Sequence, residues 1–463
     1  MLAGVILATT AIPSSAATFH TLSTSGPSSN RLCIVFLSEG YTNGQSGTFL
    51  ADCTNGLHAM FGGGDFIGEQ PFVEYSNYFN AFAIFTNSVD GGSDHPHPSL
   101  GFNRDTYFNS TYDAAIDYVI TIPTNASGQG KVDALLNSLT PTNQFRYRLP
   151  VLLVNDSSLL TSEAGGSGGA TTIVGKGFNF QGILVHESGH VLAGLGDEYP
   201  ADPGGFDYSN LPAEPNTTTN TAFNLIPWKT WIDTNSTPLP TPESGYETAV
   251  GLFEGAHYSP TNWYRPKLNC RMRSVSTGIA FCEVCREALV KTFYSKIRAI
   301  DFVSPAAASV SLAPGQTTAF SVTPLQPATH ALSVQWRTNS VNIPGATNTT
   351  FPLAAQPGLA SVSVIVRDDT DWVRNDPANL LAATNIWNLN SLWLEAPQPL
   401  AGGQFRFTVR GGGVTNFTIK ASTNLVNWTS IATNALSASQ FQFTNSGLSA
   451  IPWRYYRAVS PPQ

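Results

Sequence analysis

The sequence predicts a multidomain chain, an α/β (α+β) domain over residues 18–303 followed by two small all-β domains of immunoglobulin-like or β-sandwich type, 304–390 and 391–463. Three observations carry this. A chain of 463 residues exceeds one ordinary hydrophobic core. Over the first ~300 residues, apolar strand-length runs alternate with helical patterns. Beyond Val303-Ser304-Pro305 the pattern changes to short alternating runs between Pro, Gly and Asn turns.

In chain order, Leu32 to Thr42 reads as a buried strand ending in a turn, with Thr42 or Asn43 capping a helix that reaches Phe61. Further strands are expected at Phe79–Phe85, Tyr118–Thr121 and Val151–Val154, and helices at Ala114–Asp117 and Gly130–Ser138. Thr171–Val174, after a glycine-rich stretch, reads as a sheet-edge strand. Asp202–Tyr246, rich in Pro, Asn and Thr, reads as a long surface insertion. In the β region, Ala308–Leu312, Thr318–Val322, Ala360–Val366, Phe405–Val409, Phe417–Ala421 and Trp453–Ala458 read as strands, with Trp336 placed as the buried Trp of an immunoglobulin-like core. Neither tail gathers His, Cys and carboxylates, so both read as anchoring or spacer modules, open to contact with a surface or glycan.

Composition narrows the partners. With a formal charge of -8 and no Lys/Arg run, nucleic acid is excluded as a partner. The low charged fraction, 12%, with 40 Gly and 31 Pro, suits a secreted, extracellular or cell-surface protein. Residues 1–17 resemble the end of a secretory signal peptide, apolar from Leu2 to Ile12 and then small, although a positively charged start is missing. No later run has the ~18 consecutive apolar residues of a transmembrane helix.

Five cysteines cannot all pair within one chain. Cys33 and Cys53 are placed for one disulfide. Cys282-Glu283-Val284-Cys285 has the spacing of a metal knuckle or redox pair, with Cys270 nearby. Three thiolates need a fourth ligand to make a structural zinc site, and His257 is the only nearby histidine. A disulfide plus one free thiol is the preferred expectation in an oxidising compartment.

The chemistry concentrates in His186-Glu187-Ser188-Gly189-His190. Residues four apart share a helix face, so His186 and His190 can direct both imidazoles at one cation while Glu187 lies beside it. Zinc lowers the pKa of a bound water toward ~7, and the carboxylate takes its proton, later handing it to the leaving amine. Gly194 and Gly196 stop the helix and turn the chain back. The usual third-ligand position, six residues past His190, falls on Gly196, which cannot ligate. Asp197 is the preferred third ligand and Glu198 the alternative, the other carboxylate then orienting a ligand. Tyr199 is a candidate for the transition-state oxyanion or for packing beneath the site. Met272, by itself, reads as core filling. Arg265, Arg271 and Arg273 read as substrate-carboxylate binders or as partners of Glu254 and Glu283. His95 and His97, separated by Pro96, read as a surface loop, with an accessory cation site as the alternative.

His186 to Tyr199, HESGHVLAGLGDEY, resembles the signature of the IgA-peptidase family of metallopeptidases. In order along the chain, Ser38-Glu39-Gly40-Tyr41-Thr42, Gly251–Ala256, Tyr264-Arg265-Pro266 and Asn269–Arg273 are also similar to that family. The resemblance covers residues 30 to 295 and implies a zincin/metzincin-like catalytic domain with Met272 in a Met-turn beneath the metal, one Zn2+ and endopeptidase activity on a protein or peptide, including glycoproteins. Two other readings remain: an adhesion protein with a vestigial zincin domain, and a zinc amidase acting on non-peptide amides.

Overall fold

The computed structural model describes residues 17–97, 101–114, 119–157, 165–168, 170–177, 179–201, 214–412, 414–435, 440–446 and 453–460. Residues 1–16 of the leader-like segment, the 115–117 part of the expected short helix, Tyr118 of the expected strand and the 202–213 part of the insertion lie outside these. The chain divides into two compact units, the first comprising residues 1–297 with 327–329 and 370–378, the second 298–326, 330–369 and 379–463. It is mixed α/β with strands predominating and four α-helices among the described residues.

The first unit is built on a six-stranded sheet. Its strands are β1 (Thr18–Ser23), β2 (Leu32–Glu39), β3 (Phe79–Phe85), β6 (Tyr147–Val154), β7 (Gly165–Gly168) and β8 (Thr171–Gly175), in the order β1-β3-β2-β6-β8-β7. Two minor hairpins complete the unit: β4 (Thr111–Tyr112) with β5 (Ile120–Thr121), and β9 (Phe253–Ala256) with β10 (Ser259–Arg265). The central β3, β2, β6 and β8 are mutually parallel, and β1 and β7 run antiparallel along the edges. Parallel strands are covered on both faces, which is why β2 and β3 are apolar almost throughout and buried at every residue.

The helices are α1 (Ser46–Phe61), α2 (Gln129–Leu139), α3 (Phe180–Ala193) and α4 (Glu283–Lys296). Val35 and Leu37 of β2 share a core with Val132 and Leu136 of α2. Alternation along a strand turns Phe36 to the opposite face, and there it meets Gly56 of α1. A Cβ at Gly56 would stand 2.8 Å from Leu184 Cδ2, so this glycine lets α1 approach α3 closely.

That alternation overturns the Cys33–Cys53 disulfide. Cys33 has the parity of Val35 and Leu37, whereas Cys53 lies on α1 at the other face; both are buried free thiols. Burial pushes the Cys33 thiol up to about 11. Three further expectations change. Thr171–Gly175 is an inner strand, because glycine-rich β7 folds back and takes the edge. The 214–246 part of the insertion is pinned by buried Ile226 and Trp228, the Trp228 indole donating to Gly251 O at 2.8 Å. His95 is buried, stacked on Tyr112 at 3.9 Å between centroids, with Nε2 3.0 Å from Asp156 Oδ2.

Among its described residues, the second unit has strands and no α-helix. Ile300–Ser304, Thr317–Pro324 and Thr350–Ala354 form one sheet; a second runs from Val341–Asn342 through Ser333–Thr338 and Ser361–Arg367 to Ala382–Leu400, Gln404–Gly412 and Gln440–Asn445. Trp336 is buried and stacked on Phe351 and Trp387 at 5.4 and 5.8 Å. A separate cluster gathers Phe407, Val409, Phe417 and Ile419. The expected boundary at 390/391 falls inside Ala382–Leu400, whose first half pairs with Ser361–Arg367 and whose second pairs with Gln404–Gly412.

Candidate metal centre

α3 ends where glycine allows it: Gly194 adopts a left-handed φ of 60° and its N–H donates to His190 O at 2.9 Å. The chain then doubles back as residues 195–199. Asp197 O accepts from His257 N at 2.8 Å, Tyr199 O accepts from Tyr258 N at 3.1 Å, and Glu198 N donates to Met272 O at 2.8 Å. Segment 197–199 is therefore held between the β9–β10 turn on one side and the Met272 turn on the other.

This return brings three donor atoms together. His186 Nε2 and His190 Nε2 are 3.2 Å apart, and Asp197 Oδ1 lies 3.0 Å from the first and 3.4 Å from the second. Each imidazole is oriented through its other nitrogen: His186 Nδ1 sits 2.9 Å from Arg271 O, and His190 Nδ1 2.5 Å from Leu195 O. If those Nδ1 atoms donate, both Nε2 lone pairs face inward. Asp197 Oδ1 is buried and, among the described residues, accepts no well-formed hydrogen bond. Inward lone pairs beside a carboxylate oxygen fit a divalent cation, which would hold all three at once. Against the cost of burial, the Asp197 carboxylate pushes the His190 imidazole up to about 10.

Glu187 groups with the two histidines. Burial raises its carboxyl above the usual carboxylate range, opposed by His190 and His186. Met272 is fully buried; a Cβ at Gly189 would stand 2.9 Å from its sulfur, so the glycine inside the motif makes room for the Met272 turn beneath α3. Tyr199 packs edge-on to Tyr258 at 5.2 Å, and burial, then Asp197, suppresses its acidity. Tyr258 was not singled out from sequence, yet its hydroxyl donates to Asp197 Oδ2. The available signal was its place just after the Gly251–Ala256 stretch.

Glu198 does not face the histidines. Its Oε1 accepts from Asn216 Nδ2 at 2.8 Å and lies 3.3 Å from Cys285 Sγ. Of the arginines, Arg265 does reach Glu254, donating to its main-chain O, and its Nη2 meets Glu243 Oε1 at 2.9 Å, whereas Arg271 Nη2 meets Glu69 Oε2 at 3.0 Å and Arg273 Nη1 donates to Leu268 O at 2.7 Å. Lys267, not an arginine, takes Glu283, at 2.6 Å. His257 stacks on Trp263 at 4.0 Å, with Nδ1 3.0 Å from Glu214 Oε2, away from the cysteines.

Two imidazoles, a carboxylate oxygen and a flanking glutamate make the donor set of the metal-assisted hydrolases. Residues 21–248 and 243–293 match the model of the IgA Peptidase M64 family, more than half of the chain, and the chain belongs to that family of peptidases. No curated protein matches in sequence. Among solved structures, a cytokine receptor complex aligns at 13% identity over 34% of this chain and 88% of that one, with a TM-score of 0.16. The human OSCAR ligand-binding domain aligns at 16% identity over 34% and 86%, TM-score 0.14. A Bacteroides uniformis β-glucuronidase aligns at 8% identity over 43% and 28%, TM-score 0.14. Scores this low carry no fold assignment.

Proposed function

We propose that the chain is a secreted zinc-dependent endopeptidase of zincin-like fold, acting on extracellular proteins, with Glu187 as general base and acid. The observation that carries this is the convergence of His186 Nε2, His190 Nε2 and Asp197 Oδ1 within 3.0 to 3.4 Å, beside Glu187. His186, His190 and Asp197 would hold the ion; bound there, zinc supplies Lewis acidity and a water acidic enough to deprotonate near neutrality. Glu187 takes the proton of the attacking water and returns it to the leaving amine. Arg271 O and Leu195 O fix the imidazole rings, and Tyr258 fixes the Asp197 carboxylate. The β strands beyond residue 303 act as immunoglobulin-like or related modules for anchoring or for glycan contact.

Among the described residues, no helix is long and apolar enough to cross a membrane. The decisive experiment measures zinc content and casein or peptide cleavage in the wild type and in Glu187→Ala. Retained zinc with lost cleavage is the expected result, and full activity in the variant would sink the mechanism. A panel of acyl-amide substrates separates peptidase from amidase.

A further inference from the structure

The cysteines that the proposed chemistry leaves aside converge. Cys270 lies in the turn that leads to Met272, Cys282 caps α4, and Cys285 is in its first turn. Their sulfurs and a Glu198 carboxylate oxygen all lie within 4.8 Å of one another, and all four residues are buried. We propose that Cys270, Cys282, Cys285 and Glu198 form a second, structural zinc site of Cys3Glu type.

The geometry favours a metal over a disulfide. Zinc–sulfur bonds of ~2.3 Å at a tetrahedral centre place two sulfurs about 3.8 Å apart, whereas a disulfide needs ~2.05 Å. Cys270 Sγ and Cys285 Sγ are 3.6 Å apart. The surroundings are those of a ligated cluster: the Cys282 N–H points at Cys270 Sγ from 3.3 Å, as backbone amides do around zinc-bound thiolates. Asn216 fixes Glu198 Oε1 at 2.8 Å, while Glu198 Oε2 is buried and, among the described residues, without a hydrogen bond. Asn216 is itself locked by Gly196 N and O, at 2.7 and 2.8 Å. Three thiols and a carboxyl packed in the interior are costly to ionise unless a cation gathers them. A spacing of two residues between Cys282 and Cys285 at a helix start is the knuckle that zinc uses.

The two centres share a strap. Asp197 reaches the histidines, and the next residue, Glu198, reaches the cysteines. Cys270 lies one residue before Arg271, whose carbonyl orients His186, and two before Met272. A metal at the cysteines would therefore tie α4, the Met272 turn and segment 197–199 into one support for the catalytic ligands.

The test uses the full chain, purified with zinc and counted by native mass spectrometry and elemental analysis. Wild type is expected to carry two zinc ions, His186→Ala/His190→Ala one, and Cys285→Ser to lose the second. Because Cys285→Ser can fail to fold, the double-histidine variant is also reconstituted with cobalt. Strong thiolate-to-cobalt charge-transfer absorption is expected there, and no imidazole–carboxylate site produces it. A double-histidine variant that holds no metal, cobalt without charge transfer, or a Cys270–Cys285 disulfide in peptide mapping would each overturn the proposal. A wild type with a single zinc, retained when both histidines are removed, would support this site and count against the catalytic one.

Discussion

Replacing Gly40 with alanine tests how the motif Ser38–Thr42 is held. Gly40 has a φ of +66°, and a Cβ there would stand 2.2 Å from Gly92 O and 2.8 Å from Gly92 N. Both obstacles are backbone, so neither can rotate away. A side chain in left-handed backbone costs ~1–2 kcal/mol, and forcing atoms into a filled site costs ~1–3 kcal/mol more. The sum is a destabilisation of about 2–5 kcal/mol. Gly44 supplies the control: its φ is +90°, but a Cβ there would meet nothing within 4 Å, so Gly44→Ala should cost only the backbone part, about 1–2 kcal/mol. Urea titration read by hydrogen exchange of peptides from β2 and β6 isolates the first unit from the second. Equal midpoints for Gly40→Ala and Gly44→Ala would refute the close-approach reasoning. The consequence reaches beyond the turn, because neighbouring Glu39 accepts from Thr106 Oγ1, Phe108 N and Ser110 N at 2.7, 2.9 and 2.8 Å and so anchors that loop.

Four other outcomes follow. Tyr258→Phe removes the hydroxyl that steadies Asp197, and zinc affinity measured by chelator competition should fall ~10–100-fold with the fold intact. Glu69→Ala strands the buried Arg271 guanidinium and frees Phe281 N, and should cost ~3–5 kcal/mol by denaturant unfolding; adding Arg271→Met should restore part of that loss. Acidification should strip the metal, since ligation needs neutral imidazoles and ionised carboxylate and thiolate; zinc release measured from pH 7 downward should precede loss of secondary structure. Cys33, buried with its thiol pushed up to about 11, stays protonated at pH 8, so native protein should resist iodoacetamide at this residue until it is unfolded.

Local pattern determined a good deal. The apolar runs of β2, β3 and β6 had to be buried strands, and the glycines after His190 had to end α3 within a residue of Ala193. The four-residue spacing of His186 and His190 alone put both imidazoles on one face. Sequence also narrowed the candidates for a third ligand to two adjacent carboxylates, Asp197 and Glu198. What separated them was tertiary: Met272 O and the His257–Tyr258 turn grip the backbone of 197–199 from opposite sides, which sends Asp197 toward the histidines and Glu198 toward the cysteines. Strand parity likewise parted Cys33 from Cys53, and the Asp156 pairing drew His95 inside, through partners about 60 residues away in the chain. Residue type and spacing fix which atoms can bind and which way a helix face points. Which distant atoms they meet depends on how the sheet, α4 and the return segment pack, and no local window contains that information.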